Sequence, residues 1–510
     1  MKKIMSILLA LMMALTLCFA AAAHGEALKK DGEIIDGVME DFLKLTKVPR
    51  PSHHEGKISA YLMDWAREQG LEPVQDKELN VMFDVPATPG YEDRPLGILQ
   101  GHMDMVVAVA EGKDFDPLED PITPVMHEDE GTLTADGTSL GADDGIGVAL
   151  MMAVTEGKMD HGPIRVIITV DEEDGMSGAL GLDKAWLEGA EYLINLDNET
   201  STAVLVSTAA GDTVQVSREL TFAEPEGDLA LAVKLSGLKG GHSGVEIDKG
   251  RLNGLVGLAS FLKELKAKGV NYELASLKGG SASNAIPTGA EAAIVIRSGD
   301  RQAVEDAAAA FLAEMKETYQ GIEDEMELTV SPLAETPRVI PEAEADSALR
   351  YITEVIDGVY TWSKDLPGMV ESSSNLGLFS LDENGLTASG LERSSSPEKE
   401  EEILQAQQKL AEACGLTFAR AKTADAWPFD PNSRLLEKAK QVYLEQNGEE
   451  IEVQTLHAGL ECGTFKALKP DLDMISIGPD LADVHTIKET LYLNSVPRVW
   501  RLLEGILTAE

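Results

Sequence analysis

Gly141-Ala142-Asp143-Asp144-Gly145-Ile146-Gly147, running into Val148–Val154 (VALMMAV), holds the key to the chain. Taken alone it is a glycine-rich turn opening a small apolar helix, with two carboxylates at the end that the helix dipole favours for anions. Its company in the sequence points further. Gly101-His102-Met103-Asp104 lies upstream, Glu172-Glu173 and Asp197 lie downstream, and His485 stands near the end. Together these are the residue types of a two-metal hydrolase site.

Strand patterns bring the same residues to comparable places. Leu96–Gln100 (LGILQ) reads as a strand that runs into His102 and Asp104, two positions apart and so on one face. Ile164–Val170 (IRVIITV) is a continuous β-branched run, as in a strand buried on both faces of a parallel sheet, and it delivers Asp171-Glu172-Glu173. Tyr192–Leu196 (YLINL) repeats the pattern and delivers Asp197. Ligands of open α/β sheets bind beyond the carboxyl ends of the strands, which is where these acids and this histidine fall. The fold class expected is therefore α/β, a mostly parallel sheet carrying the catalytic residues.

Outward from this centre, Ile34–Leu45 and Ile58–Glu68 have helical spacing, and Phe115–Asp136 is Pro- and Asp-rich without a period and reads as a loop. From about Thr213 the texture changes. Strands at Leu229–Leu235, around Tyr272 and at Ala290–Arg297 alternate with helices Gly254–Ala267 and Arg301–Thr318, and a second such round runs from Leu349 to about Cys414. This predicts a doubled α+β insert over 213–420 that interrupts a catalytic domain formed by 28–212 and 421–510.

The chain has 510 residues, 44% of them hydrophobic, enough for two domains. Acidic residues outnumber basic ones by 88 to 43, a net charge of -45 spread along the chain. Such a field repels phosphate backbones and anionic lipid surfaces, so no nucleic-acid or membrane-surface partner is expected. Residues 1–23 read as a signal peptide, with Lys2 and Lys3, the apolar run Ile4–Ala14 and the small residues Ala21-Ala22-Ala23. Export to the periplasm, cell envelope or exterior is the expectation, with no membrane span in the mature chain. Only Cys414 and Cys462 would remain, too few for a disulfide framework or a sulfur-rich zinc site, with one bridge between them left open. Any metal must be held by histidine and carboxylate.

Two divalent ions about 3.5–4 Å apart require a shared carboxylate and terminal ligands for each. Asp143 supplies the bridge, His102 and Asp197 one ion's ligands, and Glu173 and His485 the other's. Asp104 then orients a ligand, and Glu172 is the general base for a metal-activated water. Asp144 and Asp171 receive no role, and His53, His54, His127 and His161 read as ordinary loop residues.

These residues also carry a resemblance. GHMDMV, DGTSLGADDGIGVALMMAV, TVDEEDGMSGALGL, LINLDNE, GLKGGHSG, NAIP, HAGLECGTF and a late His, in order from about residue 31 to 510, resemble the aminoacyl-histidine dipeptidases. Those enzymes are a branch of the co-catalytic zinc peptidase family that also contains carboxypeptidase G2 and aminoacylase-1. The resemblance implies the same ligands, the base Glu172 and the orienting acid Asp104. It further implies that the insert is a lid, that His242 and Asn284 polarise the scissile carbonyl, and that Arg393 grips a dipeptide's carboxylate. His457 and Glu461 would line the pocket. Two positions depart from the pattern: Asp144 stands where Asn is common, and Ser283 where a basic residue is frequent. The expected function is a metal-dependent dipeptidase acting on unblocked dipeptides, of Xaa-His type or broad, with zinc first and manganese or cobalt as alternatives. Homodimerisation is left open. The competing readings are an N-acyl amino acid amidohydrolase on the same scaffold and a non-catalytic peptide-binding protein.

Overall fold

The computed structural model describes residues 29–509. The expected signal segment 1–23 lies outside the described residues. Contacts divide the chain into two compact units, one built from the part up to Val206 with Asn432–Gln454 and Leu468–Glu510, the other from Ser207–Pro431 with Thr455–Ala467.

The first unit is organised on an eight-stranded sheet in the order Val74–Gln75, Val81–Val85, Ile164–Thr169, Gly97–His102, Tyr192–Asn195, Asp473–Ser476, Ala203–Thr208, Glu452–Leu456. Ile164–Thr169, Gly97–His102, Tyr192–Asn195 and Asp473–Ser476 run parallel, and Val81–Val85 pairs antiparallel with the first of these. Register decides what stands at the strand ends. Gln100 is level with Asn195, which sets His102 beside Asp197, and His102 is level with Thr169, so that Glu172 and Glu173 overhang the same edge.

The helix Ala142–Thr155 is buried along nearly its whole length because it is small and apolar on every side. Its first residues are not helical: Asp143 has φ -81 and ψ 114, Asp144 φ -99 and ψ 32, so the bridging candidate sits on a bent entry rather than in a regular turn. Phe115–Asp136, expected as a loop, contains the strands Pro124–His127 and Thr132–Ala135 of a four-stranded sheet that also takes up Leu481–Ala482 and Thr490–Tyr492. Acidic residues hide the alternation here, and Leu133 pairs on one side with Met126 and on the other with Leu491, far along the chain. His127 therefore ends a strand and is not a loop residue.

The second unit carries one antiparallel sheet of nine strands, in the order Glu327–Pro332, Leu229–Ser236, Ala290–Ile296, Glu273–Gly280, Val370–Asp382, Gly385–Ser394, Ala210–Arg218, Thr417–Ala424, with Gly358–Trp362 paired to Val370–Asp382. The two rounds expected from sequence fuse into a single sheet where Leu277 pairs with Leu381. Helix Gly254–Ala267 starts where the Asn253 side chain accepts from Leu255 N at 3.0 Å, and it buries Leu255, Leu258, Phe261 and Leu262 in the core with Leu231, Leu277 and Ile294. The segment Thr455–Ala467, with His457 and Glu461, clusters with this unit. Cys414 and Cys462 are both buried and are not joined by a disulfide.

Candidate metal centre

Five side chains from three strand ends, one helix entry and one late loop meet in the first unit. His102 Nε2 lies 3.2 Å from Asp143 Oδ1 and 3.4 Å from Asp197 Oδ1. His485 Nε2 lies 3.0 Å from Asp143 Oδ2 and 2.8 Å from Glu173 Oε2. Asp143 thus offers one oxygen to each imidazole, and each imidazole also faces a second carboxylate.

The electrostatics follow from this crowding. Burial alone would raise the Asp143 carboxyl, but its bonds to His102 and His485 outweigh that and hold it below the usual carboxylate range. Burial would likewise lower His102, yet the Asp197 charge and bonds to Asp104, Asp143 and Asp197 keep it well above an ordinary histidine. His485 is pushed up to about 10 by bonds to Asp143 and Glu173. Asp197 is itself raised well above the carboxylate range by burial. The imidazole protons balance three converging acids, a task that cations at the same two points would perform. The donor set fits that role: one ligand atom each of His102, Asp143 and Glu173 falls within 4.8 Å of the others. Glu173 Oε1 is buried with no hydrogen-bond partner among the described residues.

Asp104 is fully buried and does more than orient an imidazole. Oδ1 lies 3.3 Å from His102 Nδ1 and accepts from Glu172 N at 3.1 Å, while Oδ2 accepts from Ser52 Oγ at 2.9 Å and Glu173 N at 3.4 Å. One carboxylate therefore positions a ring and the backbone of the neighbouring acids. Sequence reasoning passed over Ser52. It also passed over Asp144, which accepts from His102 N at 3.3 Å and Gly147 N at 3.2 Å. In the fold the absence of a Cβ at Gly101 and Gly147 makes room for it, since an added Cβ at either would collide with the Asp144 carboxylate. His53 and Asp171 form a pair at 3.0 Å, with Asp174 at 2.8 Å on the other ring nitrogen.

In the second unit, Ser373 and Arg393 are cross-strand partners. Arg393 Nη2 lies 3.5 Å from His242 Nε2, and Ser373 Oγ lies 2.7 Å from His457 Nε2. Burial lowers Arg393 to about 10, and burial together with the Arg393 charge takes His457 down to about 3. Burial and the same charge lower His242. His242 Nδ1 accepts from Gly244 N at 3.2 Å and Val245 N at 3.3 Å, which leaves the proton of the neutral ring on Nε2. Two donors, Nε2 and the guanidinium, face each other. Glu461 is fully buried at the start of helix Glu461–Leu468. Asn284 is exposed; its carbonyl accepts from Ser243 N at 2.8 Å, and its side chain is no part of the Arg393–His242 contact.

The model of peptidase family M20/M25/M40 matches residues 98–509. The chain belongs to this family. As an M20 peptidase it is 32% identical over 471 residues to the cytosol non-specific dipeptidase of Escherichia coli strain K12, covering 91% of this chain and 96% of that one. The crystal structure of aminoacylhistidine dipeptidase from Vibrio alginolyticus superposes with a TM-score of 0.87 at 32% identity, covering 93% and 96% of the two chains. Aminopeptidase PepT from Bacillus cereus, with a TM-score of 0.51 at 16% identity over 93% of this chain and 98% of that one, shares the fold alone. The resemblance read from the motifs is thus borne out for this M20 peptidase. The expectation of export is not upheld: the Escherichia coli relative bears a cytosolic name. Among the described residues no helix is long and apolar enough to cross a membrane.

Proposed function

We propose that the chain is a metal-dependent dipeptidase that cleaves the peptide bond of unblocked dipeptides, with two divalent ions held by His102, Asp143, Asp197, Glu173 and His485. The observation that carries the reading is Asp143 presenting one oxygen to each of two imidazole–carboxylate pairs. Histidine and carboxylate donors suit zinc first, then manganese or cobalt. When bound, such ions supply Lewis acidity and make hydroxide available near neutral pH.

The protein's own groups divide the remaining work. Glu172, its backbone N–H held by Asp104, takes the proton of the attacking water and returns it to the leaving amine. Arg393 suits the dipeptide's free carboxylate, and His242 Nε2–H suits a substrate oxygen. Donors facing one another without an acceptor between them favour an anionic or carbonyl oxygen there. His457, kept neutral by burial and the Arg393 charge, adds no charge of its own, and Glu461 is proposed to line the same pocket.

The test is a panel of free Xaa-His and Ala-Ala dipeptides against N-acetyl amino acids, run on metal-depleted and metal-reconstituted protein. Turnover of the free dipeptides only after reconstitution is expected. Cleavage of the blocked compounds alone would replace this reading with an amidohydrolase.

A further inference from the structure

Four residues beyond His485 stands Glu489, buried to 3% exposure. The strands Leu481–Ala482 and Thr490–Tyr492 pair with each other, so residues 483–489 form one hairpin loop that carries both side chains. The Glu489 carboxylate is used completely by the backbone of the Asp143 turn. Oε1 accepts from Ala142 N at 2.7 Å and Asp143 N at 3.2 Å, and Oε2 accepts from Leu140 N at 2.8 Å and Gly141 N at 2.9 Å. Successive amides around a left-handed Gly141, φ 72, form an anion-binding nest, and this carboxylate fills it.

Arg50, equally buried, grips the same turn through the Gly141 carbonyl. Nη1 donates to Met103 O and Asp104 O, both at 3.0 Å, and Nη2 donates to Gly141 O. A Cβ at Gly141 or Gly145 would collide with this guanidinium. Peptide 141 is therefore held at its N–H by Glu489 and at its C=O by Arg50. Arg50 ties it to the His102–Asp104 strand end, and Glu489 ties it to the His485 loop.

We infer that Glu489 and Arg50 are positioning residues that set where Asp143 stands between the His102 and His485 ligand pairs, and so fix the geometry in which both ions bind. This rests on the two-metal reading above. The competing account makes Glu489 an ordinary cap of helix Ala142–Thr155, which would affect stability alone. The two accounts differ in metal affinity of the folded protein.

The measurement is Zn2+ titration of metal-free full-length protein against a competing chromophoric chelator, for the parent and for Glu489→Gln. The amide keeps the size of the carboxylate but sets an N–H against backbone N–H groups. Affinity for at least one of the two ions is expected to fall about 10–100-fold, the usual effect of disturbing groups behind the ligands. In steady-state assays kcat should fall while KM changes little, and raising the metal concentration should restore kcat. Arg50→Lys, which keeps the charge but cannot reach three carbonyls, is expected to weaken metal binding in the same way. A folded Glu489→Gln protein with parental Zn2+ affinity would overturn the inference and leave only the cap. Failure of both variants to fold would also overturn it, because the two residues would then be holding up the fold. A parent that binds fewer than two ions would instead sink the two-metal reading.

Discussion

As the proposed general base, Glu172 allows the chemistry to be separated from the binding. It stands beside Glu173, a proposed ligand, and Asp104 fixes its backbone. Glu172→Gln should therefore lower kcat by about 10²–10⁴-fold, the usual contribution of a positioned base. Its metal content, measured by atomic absorption, should equal the parent's; loss of an ion would make Glu172 a ligand. Arg393, proposed to hold the substrate carboxylate, should make the opposite kind of contribution. Its truncation to Ala should cost about 1.5–3 kcal/mol of charge-assisted bonding, about ten- to a hundredfold in KM for free dipeptides. Dipeptide amides, lacking the carboxylate, should show no such increase; an equal increase for both would remove Arg393 from carboxylate recognition. Arg393 and His242 were separately named through the family resemblance. Their contact at 3.5 Å was not, since 151 positions separate them in the chain.

At the scale of elements, strand ends explain why so much of the site could be read early. A parallel sheet puts equivalent ends on one edge, and β-branched runs announce the strands, so His102, Glu172, Glu173 and Asp197 could be placed together before any coordinates. The hairpin of 124–135 could not, because its acidic residues hide the alternation and the strand that covers its outer edge lies more than 350 residues away. A different element-level property concerns the second unit, where Glu392 on strand Gly385–Ser394 is buried against helix Pro397–Ala413. Its Oε1 accepts from Gln407 Nε2 at 2.7 Å. Burial, opposed by bonds to Ser374 and Gln407, pushes this carboxyl up to about 8 from an ordinary 4.5. The folded state then binds a proton that the unfolded chain has released, so stability is greatest below about pH 4.5 and declines as pH rises to about 8. Urea unfolding of the parent at pH 5 and pH 8.5 should show this decline superimposed on other titrations. Glu392→Gln should flatten it, and an unchanged pH slope in the variant would show that Glu392 is charged in the native protein.

For the whole molecule, the division of labour between units makes metal removal local. All five proposed ligands lie in the first unit, whereas His242, Arg393 and His457 lie in the second. An ion bound only by the folded first unit stabilises it by mass action, about 2.7 kcal/mol when free metal is a hundred times Kd. Chelation should therefore speed amide hydrogen exchange in strands Gly97–His102 and Tyr192–Asn195 and leave Leu229–Ser236 and Ala290–Ile296 protected as before. Equal loss of protection in both sets would place metal binding, or its consequences, in both units. The net charge of -45 adds to this dependence, since cations relieve the repulsion among converging carboxylates.

By itself the sequence was enough for the α/β class, the antiparallel strands of the insert, the family and the acids and imidazole at the strand ends. Those features are written in local periodicity and in residue types that chemistry demands. The sheet expected to be mostly parallel is mixed, with four parallel strands at its centre and antiparallel strands on both sides. Tertiary structure alone decided that Glu489 grips the Asp143 turn across 346 positions, that Arg50 holds its Gly141 carbonyl, and that Asp144 supports His102. It alone merged two α+β rounds into one sheet and grouped 455–467 with the second unit. The reason is physical: a side chain that serves distant backbone N–H and C=O groups leaves no pattern around itself, because every residue offers the same donors and acceptors and only the folded path selects which ones meet.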